Sequence, residues 1–360
     1  MATRWHSLQS LSRHVPKTTR HQQRTRLKSS SPPITSASEG HYKIIDRAPD
    51  FLKKQSSRPV FDARKPVALT QSPNPTWKYG SGSTKSASSS PSPRSDAADA
   101  ADAAESRHAP THIEIDPYAP TRPMLSNYRL LTSAIAPRPI GLLSTVSTNG
   151  AKNLAPFSYF QIVDHDPPLF IIGFSARPGA AKDSFLNLKE TGECVINSVS
   201  EDMIEGVSAA SLDPPRGVEE WGITGFTEEA TTTVKPGRVG ESVFSVEGRV
   251  VDVKEFEHTG GLSTAATVLI QATRFWVRAD AANEERSLVD LEKLRPVGQL
   301  GGMAYARVSE IFEVPRKRWA DEVEKSRLLR ELERGFNGRD GEGERDAIEE
   351  AQRVKEEGSM

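Results

Sequence analysis

The sequence predicts a mainly β protein, a closed or nearly closed antiparallel barrel, with long appendages at both ends. Short runs rich in β-branched and aromatic residues recur between turn signals over residues 117–319. Helical patterns inside that span are few and short. Composition changes sharply on either side of it, toward Ser, Pro and charge before and toward Arg, Glu and Lys after.

The elements follow in order. Residues 1–38 contain no Asp or Glu, while Arg4, Arg13, Lys17, Arg20, Arg24, Arg26 and Lys28 are spread among Ser, Thr and Gln. This is the composition of a mitochondrial transit peptide; the plainer reading is a basic tail on a cytoplasmic protein. No apolar h-region marks a secretory signal. Residues 39–116 read as a low-complexity linker, with SASSSPSP (Ser86–Pro93) and DAADAADAAE (Asp96–Glu105), which has no apolar stripe to bury. Within it, PNPTWKYG (Pro73–Gly80) places an aromatic pair in Pro-rich sequence. It is either an arm lying on a folded surface or an unattached linker.

The strands of the 117–319 domain are Pro139–Ser147, Ala155–Val163, Pro167–Ser175, Glu193–Val199, Ser242–Val253, Ala266–Val277 and Ala304–Val314. Turns such as TNGAKN (Thr148–Asn153) and DHDPP (Asp164–Pro168) separate them. Helices are expected at Asp183–Glu190 and Glu201–Ala210. Residues 320–360 form a charged tail, helical over Ala320–Phe336, where Glu324 has Arg327 and Leu328 at i+3 and i+4.

Composition excludes several functions. Lys+Arg 47 against Asp+Glu 48 gives a net charge of −1, without the basic footprint of a nucleic-acid binder. One cysteine, Cys194, permits no intramolecular disulfide and no CxxC site, and its apolar strand makes it a buried small hydrophobe. The longest apolar run, Pro167–Phe174, is too short to span a membrane as a helix. Among histidines of the folded region, His165 sits in a turn and His258 precedes the loop HTGG (His258–Gly261); neither has a spaced partner, so no metal site is expected. There is no GxSxG, HExxH or P-loop motif, and Gly260-Gly261 and Gly301-Gly302 lack a strand–GxGxxG–helix context.

What remains suits an anion. AAKDSFLNL (Ala180–Leu188) opens a helix with Lys182, Asp183 and Ser184, a lysine and a hydroxyl at backbone N–H groups that would hold a phosphate. Read from local sequence alone, Asp183 and Ser184 are an N-cap beside a solvated Lys182, and this reading takes precedence over the phosphate site. In LLSTVS (Leu142–Ser147) Ser144 and Thr145 point to opposite faces of a strand, so at most one reaches a given site. Pro156 in NLAPFS (Asn153–Ser158) predicts an edge or bulge, where backbone groups are free to approach a flat heterocycle.

Taken together, these segments resemble the flavin reductase-like, FMN-binding split-barrel family over about Tyr128 to Val314. The resemblance is carried by YRLLTSAIAPRPIGLLSTVSTNGAKNLAPFSYFQIVDHDPP, KDSFLNLKETGECVINSV, DPPRGVEEWGITGFT (Asp213–Thr227), VKPGRVGES (Val234–Ser242) and PVGQLGGMAY (Pro296–Tyr305), in order and at similar spacing. It implies a six-stranded Greek-key split barrel, a homodimer, and FMN near the subunit interface. By position, it assigns to the cofactor Arg138 of RPI, Ser144 and Thr145, and Asn153, Ala155, Pro156 and Ser158 along the ring and ribityl chain. Lys182, Asp183, Ser184 and Asn187 fall near the phosphate. Two departures stand out: Gln299 where the family reads Arg before Leu-Gly-Gly, and Gly237 where a second Pro is common.

The family resemblance further implies hydride transfer from NAD(P)H to flavin and onward to an acceptor the sequence does not identify, with no protein acid or base required and so no catalytic side chain assigned. Two alternatives stand beside it: an FMN-binding protein or electron carrier without NAD(P)H turnover, which Gln299 favours, and a non-enzymatic barrel serving as an interaction module.

Overall fold

A computed structural model describes residues 50–82 and 112–337, except 178, 180, 213, 216 and 257–263. The basic N-terminal segment, the Ser-Pro and Asp-Ala stretches, the His258–Gly261 loop and the tail beyond 337 lie outside the described residues. The chain divides after Asp62 into two units. In the first, Arg58, just after helix α1 (Phe51–Ser56), turns back over the Phe51 ring, 5.9 Å from its centroid.

The second unit opens with β1 (Ala68–Thr70) and α2 (Met124–Ala134). Then come β2 (Gly141–Val146), β3 (Lys152–Phe157), β4 (Phe160–His165), β5 (Pro168–Phe174), α3 (Asp183–Thr191) and β6 (Glu193–Ser198). A 3₁₀ turn (Glu201–Met203) leads into α4 (Ile204–Ala209), α5 (Glu220–Thr224) and the short pair β7 (Glu228–Glu229) and β8 (Arg238–Val239). The long strands β9 (Phe244–Phe256) and β10 (Ala265–Val277) follow. Last are α6 (Leu291–Leu294), β11 (Val297–Gln299), β12 (Tyr305–Arg307), β13 (Glu310–Phe312), α7 (Trp319–Val323) and α8 (Arg327–Asn337).

One antiparallel sheet of seven strands dominates, in the order β3-β2-β6-β9-β10-β5-β4. It is one strand larger than the six the resemblance implies. The sheet curls strongly. The Phe157 ring on β3 lies 4.8 Å from that of Phe174 on β5, though the two strands stand five places apart in the sheet. A Cβ on Gly141 of β2 would meet Phe160 of β4 at 3.2 Å. Only Ser158 and Tyr159 join β3 to β4, so the chain steps from one edge of the sheet to the other. That step splits the single strand expected at 155–163. No ladder joins β3 to β4 among the described residues, so the sheet is curled but its hydrogen bonds do not close a barrel.

Burial follows from the curl. Leu143, Phe157, Phe170, Ile172, Val268 and Ile270 form a core inside it, and α3 adds Phe185 and Leu188. Leu142, Leu154, Val199, Met203, Val207 and Trp221 form a second core between the outer face and the short helices. Strand β2 is therefore buried on both faces. Cys194 is enclosed in the first core, where burial pushes its thiol up to about 12.

The C-terminal run 304–314 is two short strands. β12 pairs with β11, whereas β13 pairs in parallel with β1, 242 positions earlier at Ala68↔Glu310. The Tyr79 hydroxyl donates to Glu322 at 3.0 Å, and Lys317 lies 5.1 Å from the Tyr79 ring centre. The expected C-terminal helix is divided into α7 and α8. Helix α2 is not evident from the sequence because it buries only Thr132 and turns Met124, Tyr128, Leu131 and Ile135 outward.

Candidate functional site

The site is assembled at the free edge of β3. Thr145 on β2 stands opposite Asn153 on β3, and α3 packs across both strands. Ser184 donates to Asn153 Oδ1 at 2.6 Å, and Thr145 donates to the same oxygen at 3.3 Å. Asn187 Nδ2 donates to Thr145 Oγ1 at 3.0 Å. Asn153 Nδ2 in turn donates to both oxygens of Glu220, at 3.0 and 2.9 Å, and the Leu154 N–H donates to Glu220 at 3.0 Å. Every donor in this buried chain has an acceptor, and the chain ends on one carboxylate. Such a network fixes its members more firmly than isolated bonds would.

Beside the network lies a cavity of about 290 Å³, lined by Asn153, Ala155, Arg177, Lys182, Asp183 and Ser184 among others. Lys182 is the N-cap residue of α3, with extended backbone, and no side chain caps the helix. The expected Asp183/Ser184 cap is therefore not formed: these are the first helical residues, and the Ser184 hydroxyl turns inward to Asn153. Lys182 Nζ stands 5.6 Å from the centre of the Phe157 ring. Gly192 ends α3 at φ +70°, a left-handed position that glycine takes without strain.

The structure brings Thr145, Asn153, Ala155, Lys182, Asp183, Ser184 and Asn187 to one place. Ser144 is not among them. It is fully buried opposite Leu154, on the other face of β2, and its hydroxyl has no hydrogen-bond partner. Pro156 lies on the edge strand opposite Leu142, as a residue without an N–H requires. The free backbone donors expected beside it are engaged: the Lys152 and Leu154 N–H groups donate to Glu219 (3.1 Å) and Glu220 (3.0 Å).

Arg138 and Ser158 stand at the far end of β3. The Arg138 guanidinium is buried and donates to Ser158 Oγ, to the carbonyls of Thr132 and Ile135 at the end of α2, and to Leu300 O at 3.1 Å. It thus caps α2 and ties it to the 299–302 turn. It does not line the Lys182 cavity. Two residues missed from the sequence matter here. Arg177 brings a second cation to the cavity, foreshadowed only by its place in the loop before the helix. Glu220 orients Asn153 from 67 residues away, and no local signal marks it.

His165 is exposed beside Asp164. Among the described residues no group of three or more His, Cys, Asp or Glu side chains is placed to hold a metal, and no helix is long and apolar enough to cross a membrane.

The curled antiparallel sheet thus carries a polar cavity with two cationic side chains at the edge of β3. The chain belongs to the flavin reductase-like family. The model of the flavin reductase like domain matches residues 133–297. An uncharacterised protein of Halalkalibacterium halodurans is 35% identical over 191 residues, covering 53% of this chain and 90% of the relative. One of Aquifex aeolicus is 33% identical over 182 residues, covering 50% and 89%. Among solved structures, nitrilotriacetate monooxygenase component B of Bacillus cereus aligns with TM-score 0.54 at 26% identity, covering 57% of this chain and 100% of that one. The 2-nitrobenzoate 2-nitroreductase NbaA of Pseudomonas fluorescens aligns with TM-score 0.50 at 26% identity, covering 57% and 96%.

Proposed function

We propose that the chain is an FMN-dependent oxidoreductase that takes hydride from NAD(P)H. The observation that carries this reading is the convergence of Lys182, Arg177 and the uncapped start of α3 on one cavity at the edge of β3. The donor set fits a phosphate monoester: two cations, and first-turn N–H groups with no side-chain cap. From Asn153 to Ser158 the edge runs roughly 17 Å at the usual rise of a strand. That is room for a flavin mononucleotide with its phosphate at Lys182 and its ring toward Ser158.

Bound there, FMN supplies the two-electron chemistry. This chain's residues do the holding. Lys182 and Arg177 neutralise the phosphate, while Asn153, whose amide is held by Glu220 and Ser184, keeps the strand edge beside the ribityl chain in place. Ala155 keeps the edge low. Phe157 and α3 exclude water from behind. We further propose a homodimer. Met124, Tyr128 and Leu131 on α2 and Ile135 at its C-cap are 50–62% exposed, an apolar face that a second copy would cover.

One observation favours FMN binding without NAD(P)H turnover: the 299 position carries no cation, and the Gln299 backbone is held in a bridge to Arg138. Absorbance of the purified chain, followed by anaerobic NADH and NADPH addition, separates the readings. Flavin absorption that bleaches supports the reductase. Absorption that persists supports the carrier, and none after FMN is supplied rejects both.

A further inference from the structure

Residues 63–82 and 304–337 lie outside the 133–297 span of the family domain, on either side of it, and fold against each other. β1 runs parallel to β13, from Ala68↔Glu310 to Thr70↔Phe312. The Trp77 ring meets the Tyr79 ring edge-on at 5.5 Å, and Tyr79 in turn holds Glu322 and Lys317. Gly80, at φ +84°, lies directly on α8: a Cβ there would stand 2.7 Å from Leu328 Cδ2.

The lobe so formed engages acids internally and turns cations and apolar groups outward. Its two segments hold eleven Lys and Arg against seven Asp and Glu, and residues 63–82 contain no acid. Glu310 accepts from Thr70 at 3.2 Å, Glu333 accepts from the Trp319 indole at 3.2 Å, and Glu331 pairs with Arg327 at 2.7 Å. Glu322 is shared by Tyr79, Lys317 and Lys325. Lys78 and Arg316 are exposed, and among the described residues neither has a carboxylate partner. Beside them Trp77, Phe312, Val314 and Trp319 are 43–67% exposed.

Large apolar groups set in water beside unpaired cations mark a surface that is covered in use. A second copy would bring the same excess of cations face to face. A nucleic acid would take the cations and the indole faces but leave Phe312 and Val314 in water, and the chain's net charge of −1 gives it no wider basic footprint. A bilayer with anionic headgroups takes both sets: apolar side chains enter the acyl boundary, indoles sit at the headgroup level, and Lys and Arg meet the negative surface. We propose that the lobe built from residues 63–82 and 304–337 is a peripheral docking surface for membranes rich in anionic lipid. The proposal does not depend on the flavin reading.

The test mixes the full chain with vesicles of phosphatidylcholine, alone or with phosphatidylserine, and reads the bound fraction by co-sedimentation. Phosphatidylserine should strengthen binding by at least about tenfold, and raising NaCl from about 0.05 to about 0.5 M should reverse this. Residues 1–38 also carry cations and no acid, so variants assign the contact to the lobe. Lys78→Ala with Arg316→Ala should weaken binding about 25-fold, about fivefold for each cation. Phe312→Ser with Val314→Ser should weaken it by about tenfold or more. Val251→Ser, at a half-exposed position of β9, should leave it unchanged. Brominated lipid should quench tryptophan emission in the parent chain, and Trp77→Phe with Trp319→Phe, which keeps both rings aromatic, should remove that quenching. Equal binding to the two vesicle types, or none, overturns the proposal. Binding undiminished in folded charge or apolar double variants also overturns it, as does quenching that survives Trp77→Phe with Trp319→Phe. A single-stranded oligonucleotide that binds the lobe and is not displaced by vesicles overturns it in favour of nucleic acid. Self-association lost in the same variants, without vesicle binding, overturns it in favour of a second copy.

Discussion

Glu220→Gln tests whether one carboxylate orients the site. Glu220 is 6% exposed and accepts from Asn153 Nδ2 at 3.0 and 2.9 Å and from the Leu154 N–H at 3.0 Å. A glutamine keeps one acceptor oxygen and turns an NH₂ toward groups that are themselves donors. One buried donor then loses its acceptor, at about 1–3 kcal/mol, and the bonds that remain fall from charge-assisted to neutral strength, at about 1 kcal/mol each. Removing a buried charge offsets part of this by relieving desolvation. The net expectation is about 2 kcal/mol of destabilisation. For a domain of about 200 residues that lowers Tm by about 4–8 °C.

Thermal unfolding followed by circular dichroism measures the shift, and an FMN titration on the same samples shows whether Asn153 has been released. The control is the neighbouring Glu219→Gln. Glu219 is exposed and among the described residues accepts from Lys152 N–H alone, at 3.1 Å, so its loss should change stability by less than about 0.5 kcal/mol. A Glu220→Gln chain as stable as Glu219→Gln would refute the argument that the network ends on this group.

The remaining expectations concern other parts of the molecule. Lys182→Ala should weaken FMN binding by about tenfold or more with little change in Tm, whereas Ser184→Ala should chiefly lower Tm, because its hydroxyl serves Asn153; the opposite pattern would move the phosphate off the helix start. Burial alone would raise the Glu247 carboxyl, but hydrogen bonds from the Thr233 hydroxyl, the Thr232 N–H, the Trp276 indole and the Thr233 N–H outweigh it and hold it below its ordinary value. A depressed carboxyl stabilises the fold above its unfolded-state value and loses that contribution as pH falls through its folded-state value. Glu247→Gln should therefore be less stable than wild type at pH 7, with the gap narrowing below about pH 4; a gap independent of pH would contradict this. Deleting residues 1–82 removes β1 and Tyr79, so the 305–337 segment should become the first site of limited proteolysis while the sheet core stays protected; an unchanged cleavage pattern would show that the segment holds without its partner.

What the sequence makes legible here depends on how far apart the partners lie. Strand periodicity places Ser144 and Thr145 on opposite faces, and the structure puts Thr145 in the network and Ser144 behind it. Pro156 marks the sheet edge, and the edge is where it stands. The helix start at 182–184 is legible as a position, but not its lack of a side-chain cap, since the Ser184 hydroxyl that could cap it turns to Asn153. Edge status, however, states only that backbone groups lack a ladder partner, not that they lack any partner. The Lys152 and Leu154 N–H groups are taken by two consecutive glutamates at the start of α5, 66–67 residues on, and a charged pair in VEEWG gives no sign of it. Arg138 is a second case: the resemblance assigns it to the cofactor, and the sequence gives no sign that α2, whose apolar face shows no core pattern, supplies carbonyls to its guanidinium. In both cases the residue was visible and its partner was not. A polar side chain's role is set by which distant group reaches it first, and in this fold the curl of the sheet decides that.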